Sequence, residues 1–195
     1  MKRLFAPLFA ATLLWNAAAF AEVQTFQIDP VHSTVQFKIR HFFSKVTGQF
    51  GNYEGTIVMD TADIAKSKVD ATIKTGSIDT KSEKRDGHLK SPDFFDTEKF
   101  STITFKSTAW KETAKDSYDV TGDLTMHGVT KPVTLHVKAL GTGPAMGGVR
   151  GGWEATTTIN RTDFGVSWNK AVEGGGTILG EEVEITLNVE GVLEK

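Results

Sequence analysis

The sequence contains no cysteine among its 195 residues. Thiolate metal sites, cysteine nucleophiles and disulfide staples are therefore excluded, and any folded domain must be held by its core. Neither sign of charge dominates: 22 basic residues stand against 24 acidic ones, a formal net charge of −2. Such a surface has no overall field to recruit nucleic acid or anionic headgroups. Beyond residue 21 no apolar run approaches the ~20 residues that a membrane-spanning helix needs. No G-x-S-x-G elbow occurs, and Gly141-Thr142-Gly143 lacks both the third glycine and the following helix of a nucleotide loop. The five histidines include no pair at strand or helix ligand spacing, so no metal site and no cofactor are expected.

The amino terminus carries the first positive signal. Lys2 and Arg3 precede an apolar run from Leu4 to Trp15, and Ala19-Phe20-Ala21 places small residues where a signal peptidase reads. The expectation is a signal peptide over 1–21, with a single domain over 22–195 exported to the periplasm. Removing Lys2 and Arg3 takes the formal net charge from −2 to −4.

Downstream the dominant pattern is alternation with period 2. Val35, Phe37, Ile39 and His41 share one parity, as do Ile57 with Met59, Val69 with Ala71 and Ile73, and Ile103 with Phe105. Val120, Gly122, Leu124 and Met126 follow, then Val133, Leu135, Val137 and Ala139, then Val183, Ile185, Leu187 and Val189. One apolar and one polar face per strand is the signature of a half-buried antiparallel sheet. Asp29-Pro30, Gly51-Asn52, Gly128, Gly141 to Pro144, Gly151-Gly152 and Gly174 to Gly176 read as turns. With Val46 to Met59 taken as one strand bent at Gly51-Asn52, about eight long strands emerge, plus a short segment from Val23 to Ile28. A barrel of that size can enclose one small ligand, although a two-sheet sandwich shows the same alternation.

One stretch near residues 80–96 departs from this pattern. Thr80 with Glu83 reads as a capping box opening a helix to about Lys90, and Ser91-Pro92-Asp93 as a second helix start leading through Phe94 and Phe95. The helix would carry Arg85, Asp86 and His88. An arginine fork beside a histidine can hold a phosphate, and the same residues can equally be paired within the helix. Arg161 and Asp163 flank Thr162 at a strand end and read as an ion pair, with ligand contact as the alternative. His127 and His136 have outward parity, and His32 reads as a local hydrogen-bonding residue.

Six short motifs occur in order: Asp29-Pro30-Val31-His32-Ser33, Arg85-Asp86-Gly87-His88-Leu89, Asp93-Phe94-Phe95-Asp96, Ile103-Thr104-Phe105, Leu124 to Thr130, and Arg161-Thr162-Asp163-Phe164-Gly165. Together they make the chain resemble the YceI-like family of polyisoprenoid-binding, lipocalin-like proteins. The resemblance implies an all-β fold, an eight-stranded antiparallel barrel whose apolar tunnel takes an isoprenoid or fatty-amide chain, with no catalytic activity. Composition alone favours a filled core over a tunnel; the resemblance reverses that. The expected ligand-binding residues are Phe37, His41, Ile57, Ile73, Arg85, His88, Phe105 and Leu124. The expected partner is an isoprenoid or other long-chain lipid, without nucleic acid or stable membrane insertion, and a homodimer is compatible with this reading. The alternatives are an enzyme acting on a lipid or quinone at the barrel mouth through His88 or Asp86, and a structural protein with a filled barrel.

Overall fold

The structure, a computed structural model, describes residues 23–194; the expected signal peptide lies outside the described residues. Eleven strands form one sheet: β1 (Val23–Ile28), β2 (Thr34–His41), β3 (Ser44–Phe50), β4 (Tyr53–Asp60), β5 (Lys68–Lys74), β6 (Ile78–Asp79), β7 (Thr102–Ala114), β8 (Ser117–Met126), β9 (Val129–Ala145), β10 (Gly148–Asn160) and β11 (Leu179–Leu193). All pairings are antiparallel. The first six strands run as three interrupted lanes. Along β11, Phe26 to Ile28 of β1 face Leu193 to Gly191, and Thr34 to His41 of β2 continue the lane from Asn188 to Leu179. β3 and β4 likewise form one lane against β2 and β1, broken at Gly51-Asn52. β5 and β6 form the third. Counted by lanes, the sheet is an eight-stranded antiparallel barrel, closed by β1 and β2 on β11. The Val23–Ile28 segment is thus the outer half of a lane and not an extra strand.

The interruptions have local causes. At the β1–β2 break Asp29 accepts from the Val31 amide (2.9 Å), the His32 ring is 2.9 Å from the same carboxylate, and Arg150 of β10 donates to both Asp29 (2.6 Å) and Glu190. This cluster pins the bend to the next two lanes, β11 and β10. The Arg150 bond, then the His32 and Val31 bonds, hold the Asp29 carboxyl well below its ordinary value of 3.8. Between β8 and β9 the loop is His127-Gly128 alone, with φ of 52° and 76°, the double left-handed conformation that lets a two-residue hairpin follow sheet twist.

Two expected turns are strand instead. Gly141 to Gly143 pair with Gly152 to Arg150 inside a long β9–β10 hairpin, whose turn lies at Met146-Gly147. Glycine there marks a change of register beside Trp153, not a reversal of the chain. The helical excursion is also shorter than expected. Helix α1 covers Glu83–Lys90, with Ser82 as N-cap. Thr80 cannot cap it, because Lys81 at φ 63° turns the chain between them. Ser91 to Phe94 form hydrogen-bonded turns without continuing into a second helix.

Buried side chains gather in two clusters, one at each end of the barrel. Phe26, Ile57, Met59, Phe105, Trp110, Val120 and Trp153 form one. Phe50, Ile78, Phe94, Ile103, Met126, Ile159, Phe164 and Val166 form the other, beside the segment that holds α1. Leu124 and Val133 pack against both.

Candidate functional site

A cavity of about 650 Å³ runs through the barrel between these clusters, within the ~300–1,000 Å³ range of small-molecule sites. Its wall follows from the period-2 alternation. Phe37, Ile57, Ile73, Phe105, Leu124, Leu135 and Ile185 all face it, while Lys38, Lys106, Asp123 and His136 are exposed on the other face. Thr72, of outward parity, is half-buried and does not line it.

The interior is a cavity and not a filled core because small residues stand opposite large ones. Phe37 faces Gly48 across β2 and β3, and a Cβ built on Gly48 would lie 2.3 Å from the Phe37 ring. The Phe105 ring crosses Gly122 of β8 in the same way, at 2.5 Å. Each ring lies down over a glycine where any larger residue would prop it into the lumen. Ala71, Ala155 and Thr157 add further short side chains to the wall.

All eight residues singled out from the sequence lie on this one cavity. Ile57 and Phe105 are buried at the Trp110–Trp153 end, and Phe37 and Ile73 pack against the opposite cluster. His41 ends β2, with its ring edge-on to Phe42 at 4.9 Å. Arg85 and His88 also reach the wall, each with part of its polar group already bonded within the protein. Arg85 donates from Nε to the Thr80 hydroxyl and from Nη2 to the Thr80 carbonyl, both at 2.7 Å. The Asp86 carboxylate accepts from the Thr80 hydroxyl (2.6 Å) and amide (2.9 Å). Thr80, only 4% exposed, is thus the knot that ties α1 to the end of β6. Of the two readings of Arg85, these bonds show the local pairing, since the left-handed Lys81 folds the helix back over Thr80. His88 places Nε2 2.8 Å from Asp93 and stacks edge-on to Phe94 and Trp168, each at 4.9 Å.

Arg161 and Asp163 do not pair. They lie in a 3-10 turn after β10, where Asp163 approaches Lys131 at 3.8 Å and Arg161 turns inward. Arg161 is 4% exposed and lines the cavity. Its Nε donates to the Gly180 carbonyl (2.9 Å) and its Nη1 to the Val166 carbonyl (2.6 Å). Burial lowers its pKa, partly opposed by the field of Glu181. His127, expected outward, is half-buried with its ring 4.6 Å from Phe100.

The sequence reading missed the whole inner face of β10. Trp153, Ala155, Thr157 and Ile159 all line the cavity. Their alternation is masked by threonines on both faces, although the Trp–Ala–Thr–Ile parity was there to be read. Trp168 and Val166 lie outside any strand, and no periodic signal could have found them.

Residues 26–191 match the model of the YceI-like domain. The chain belongs to the YceI-like family. Protein YceI of Escherichia coli O157:H7 is 40% identical over 199 aligned residues, covering the full length of both chains. The crystal structure of Burkholderia cenocepacia BcnA matches with a TM-score of 0.74 at 23% identity, covering 84% of this chain and 98% of that one. A polyisoprenoid binding domain from Saccharophagus degradans, implicated in plant cell wall breakdown, matches at TM-score 0.64 and 16% identity, over 87% and 98%. These last two likenesses concern the barrel itself.

Proposed function

We propose that this YceI-like protein is an exported binding protein that sequesters or carries a polyisoprenoid or similar long-chain amphiphile inside its barrel. The observation that carries the reading is the 650 Å³ cavity, bounded almost wholly by apolar side chains and running between the two packed ends. Family membership and the polyisoprenoid-binding description of the Saccharophagus degradans domain support it. At ~0.8 kcal/mol per buried CH₂, a chain of about 15 carbons contributes roughly 12 kcal/mol. That is comparable to or larger than most estimates of the association cost, ~4–15 kcal/mol. Burial of the tail then supplies the affinity, and the polar end sets orientation.

The test is mass spectrometry of organic extracts from protein purified out of a periplasmic fraction, followed by titration of the emptied protein with farnesol. Trp110, Trp153 and Trp168 line the cavity and supply the fluorescence signal. A co-purifying long-chain lipid and saturable quenching are expected. A clean extract together with no farnesol binding overturns the reading. Amino-terminal sequencing of the same pool should return Glu22; a chain beginning at Met1 removes the export step.

A further inference from the structure

Two buried side-chain donors in the described residues have no hydrogen-bond partner, Trp110 Nε1 and Arg161 Nη2, and both residues line the cavity. They sit at opposite ends. Trp110 packs with Phe26 and Trp153, and Arg161 adjoins the cluster of Ile159, Phe164 and Val166. The indole is neutral, so its lone N–H leaves a dipole unsatisfied. The guanidinium is a cation in an apolar wall, satisfied at two nitrogens by neutral carbonyls and bonded to no carboxylate. Glu181 offsets that burial only through its field, with no hydrogen bond to the guanidinium, and a buried charge without a bonded counter-charge is the more costly arrangement of the two.

The other cations at the cavity do not share this state. Arg85 donates twice to Thr80 and is exposed, so water reaches it, and Lys84 is exposed to solvent as well. Glu54 is the single carboxylate among the lining residues, and it too is exposed. The wall is therefore biased towards positive charge, and Arg161 is the member with an unused directional donor and no access to water. Asp163, nearest to it in sequence, faces Lys131 instead.

We propose that Arg161 receives an anionic oxygen at the end of the bound chain, so that the cavity selects a long-chain carboxylate or phosphate over the matching neutral alcohol. This rests on the reading that the cavity takes a long apolar chain. A charge-assisted bond from a guanidinium to such an oxygen is short and strong, and it would give Nη2 the bonded anionic partner that it lacks. The chain then lies with its polar end beside the turn after β10 and its tail towards Trp153.

The experiment compares matched pairs on emptied protein by tryptophan fluorescence: hexadecanoic acid against hexadecanol, and farnesyl phosphate against farnesol. The wild-type chain should bind the anionic member of at least one pair about tenfold tighter or more. The pair that shows the preference distinguishes a fatty acid from a prenyl phosphate. Arg161→Gln should bring the anion down to the affinity of its alcohol in the same variant, and Arg161→Lys should keep part of the preference. If Arg161→Gln does not fold, the wild-type comparison still decides, together with the ¹⁵N side-chain resonances of Arg161, which should move on adding the anion and not on adding the alcohol. Equal binding of acid and alcohol by the wild-type chain overturns this inference and leaves the tunnel reading standing. Failure of every ligand to bind overturns both. Loss of the preference in Trp110→Phe, but not in Arg161→Gln, places the polar end at the other end of the barrel and also overturns it.

Discussion

The two ends of the barrel are held by different physics. At one end Phe26, Trp110, Val120 and Trp153 pack tightly, with Phe26 and Val120 at 0% exposure and the Phe26 and Trp153 rings edge to face at 5.1 Å. At the other end the buried cluster around Ile78, Phe164 and Val166 is supplemented by polar knots. Thr80 ties down α1, Arg161 bridges Gly180 and Val166, and His88 is clasped by Asp93 against Trp168. An apolar plug is indifferent to orientation, whereas hydrogen bonds hold only in one geometry and can exchange partners with water or ligand. The packed end thus resists change of shape, whereas the end that holds α1 can rearrange by exchanging hydrogen-bond partners.

A charge placed between the two ends should have the largest effect. Leu124 touches both clusters and lines the cavity. Leu124→Asp should abolish farnesol binding, by ~100-fold or more, because an unpaired charge in an apolar tube costs several kcal/mol. Circular dichroism must show the variant folded; binding retained in a folded variant would mean that the cavity is not the ligand site.

Truncation at the packed end should come next. Phe26→Ala is expected to lose ~3–5 kcal/mol of stability in urea unfolding, as for large core aromatics. A loss below ~1 kcal/mol would contradict the weight given to packing at that end.

At the knotted end the expected effect is smaller and local. Thr80→Val keeps the shape but removes the hydroxyl that Arg85 and Asp86 share, for a loss of ~1–3 kcal/mol. Hydrogen exchange should quicken in Glu83–Lys90 and not in β7 or β8. Uniform quickening would show that the two ends unfold as one unit and that the contrast between them has no dynamic meaning.

The smallest effect tests the bend that carries the packed end into the rest of the lane. Arg150 holds the Asp29 carboxyl below its ordinary 3.8. A depressed folded-state pKa contributes stability that is present above the unfolded value and is lost as pH falls through the folded one. Arg150→Met should therefore lose less stability than the wild type between pH 5 and 2, approximately the window that the Asp29 shift opens. Urea midpoints of both proteins across that range check the sign; identical slopes would assign the acid sensitivity to the Asp79–Lys81 and Glu184–Lys45 pairs, whose carboxyls are also held low.

The contrast between ends also divides what could be read from the chain alone. Parity along β2, β4, β5, β7, β8, β9 and β11 assigned their inward residues correctly, because a strand with one wet face can satisfy its side chains in only one register. Closure into eight lanes was consistent with that pattern but not required by it. The β10 face was lost among threonines, whose hydroxyls serve either side of a sheet.

By itself, then, the sequence determined the inner face of seven strands and the family, and missed β10. Tertiary structure decided the rest: that Phe37 and Phe105 lie over Gly48 and Gly122 and leave a cavity, that Arg85 ties α1 to Thr80, and that Arg161 turns inward without Asp163. Periodicity is a local property of one chain segment, enforced by the pleat. Whether a ring fills a lumen or lies against its wall, and whether a buried cation meets a carboxylate, depends on residues that come together only when distant strands pair.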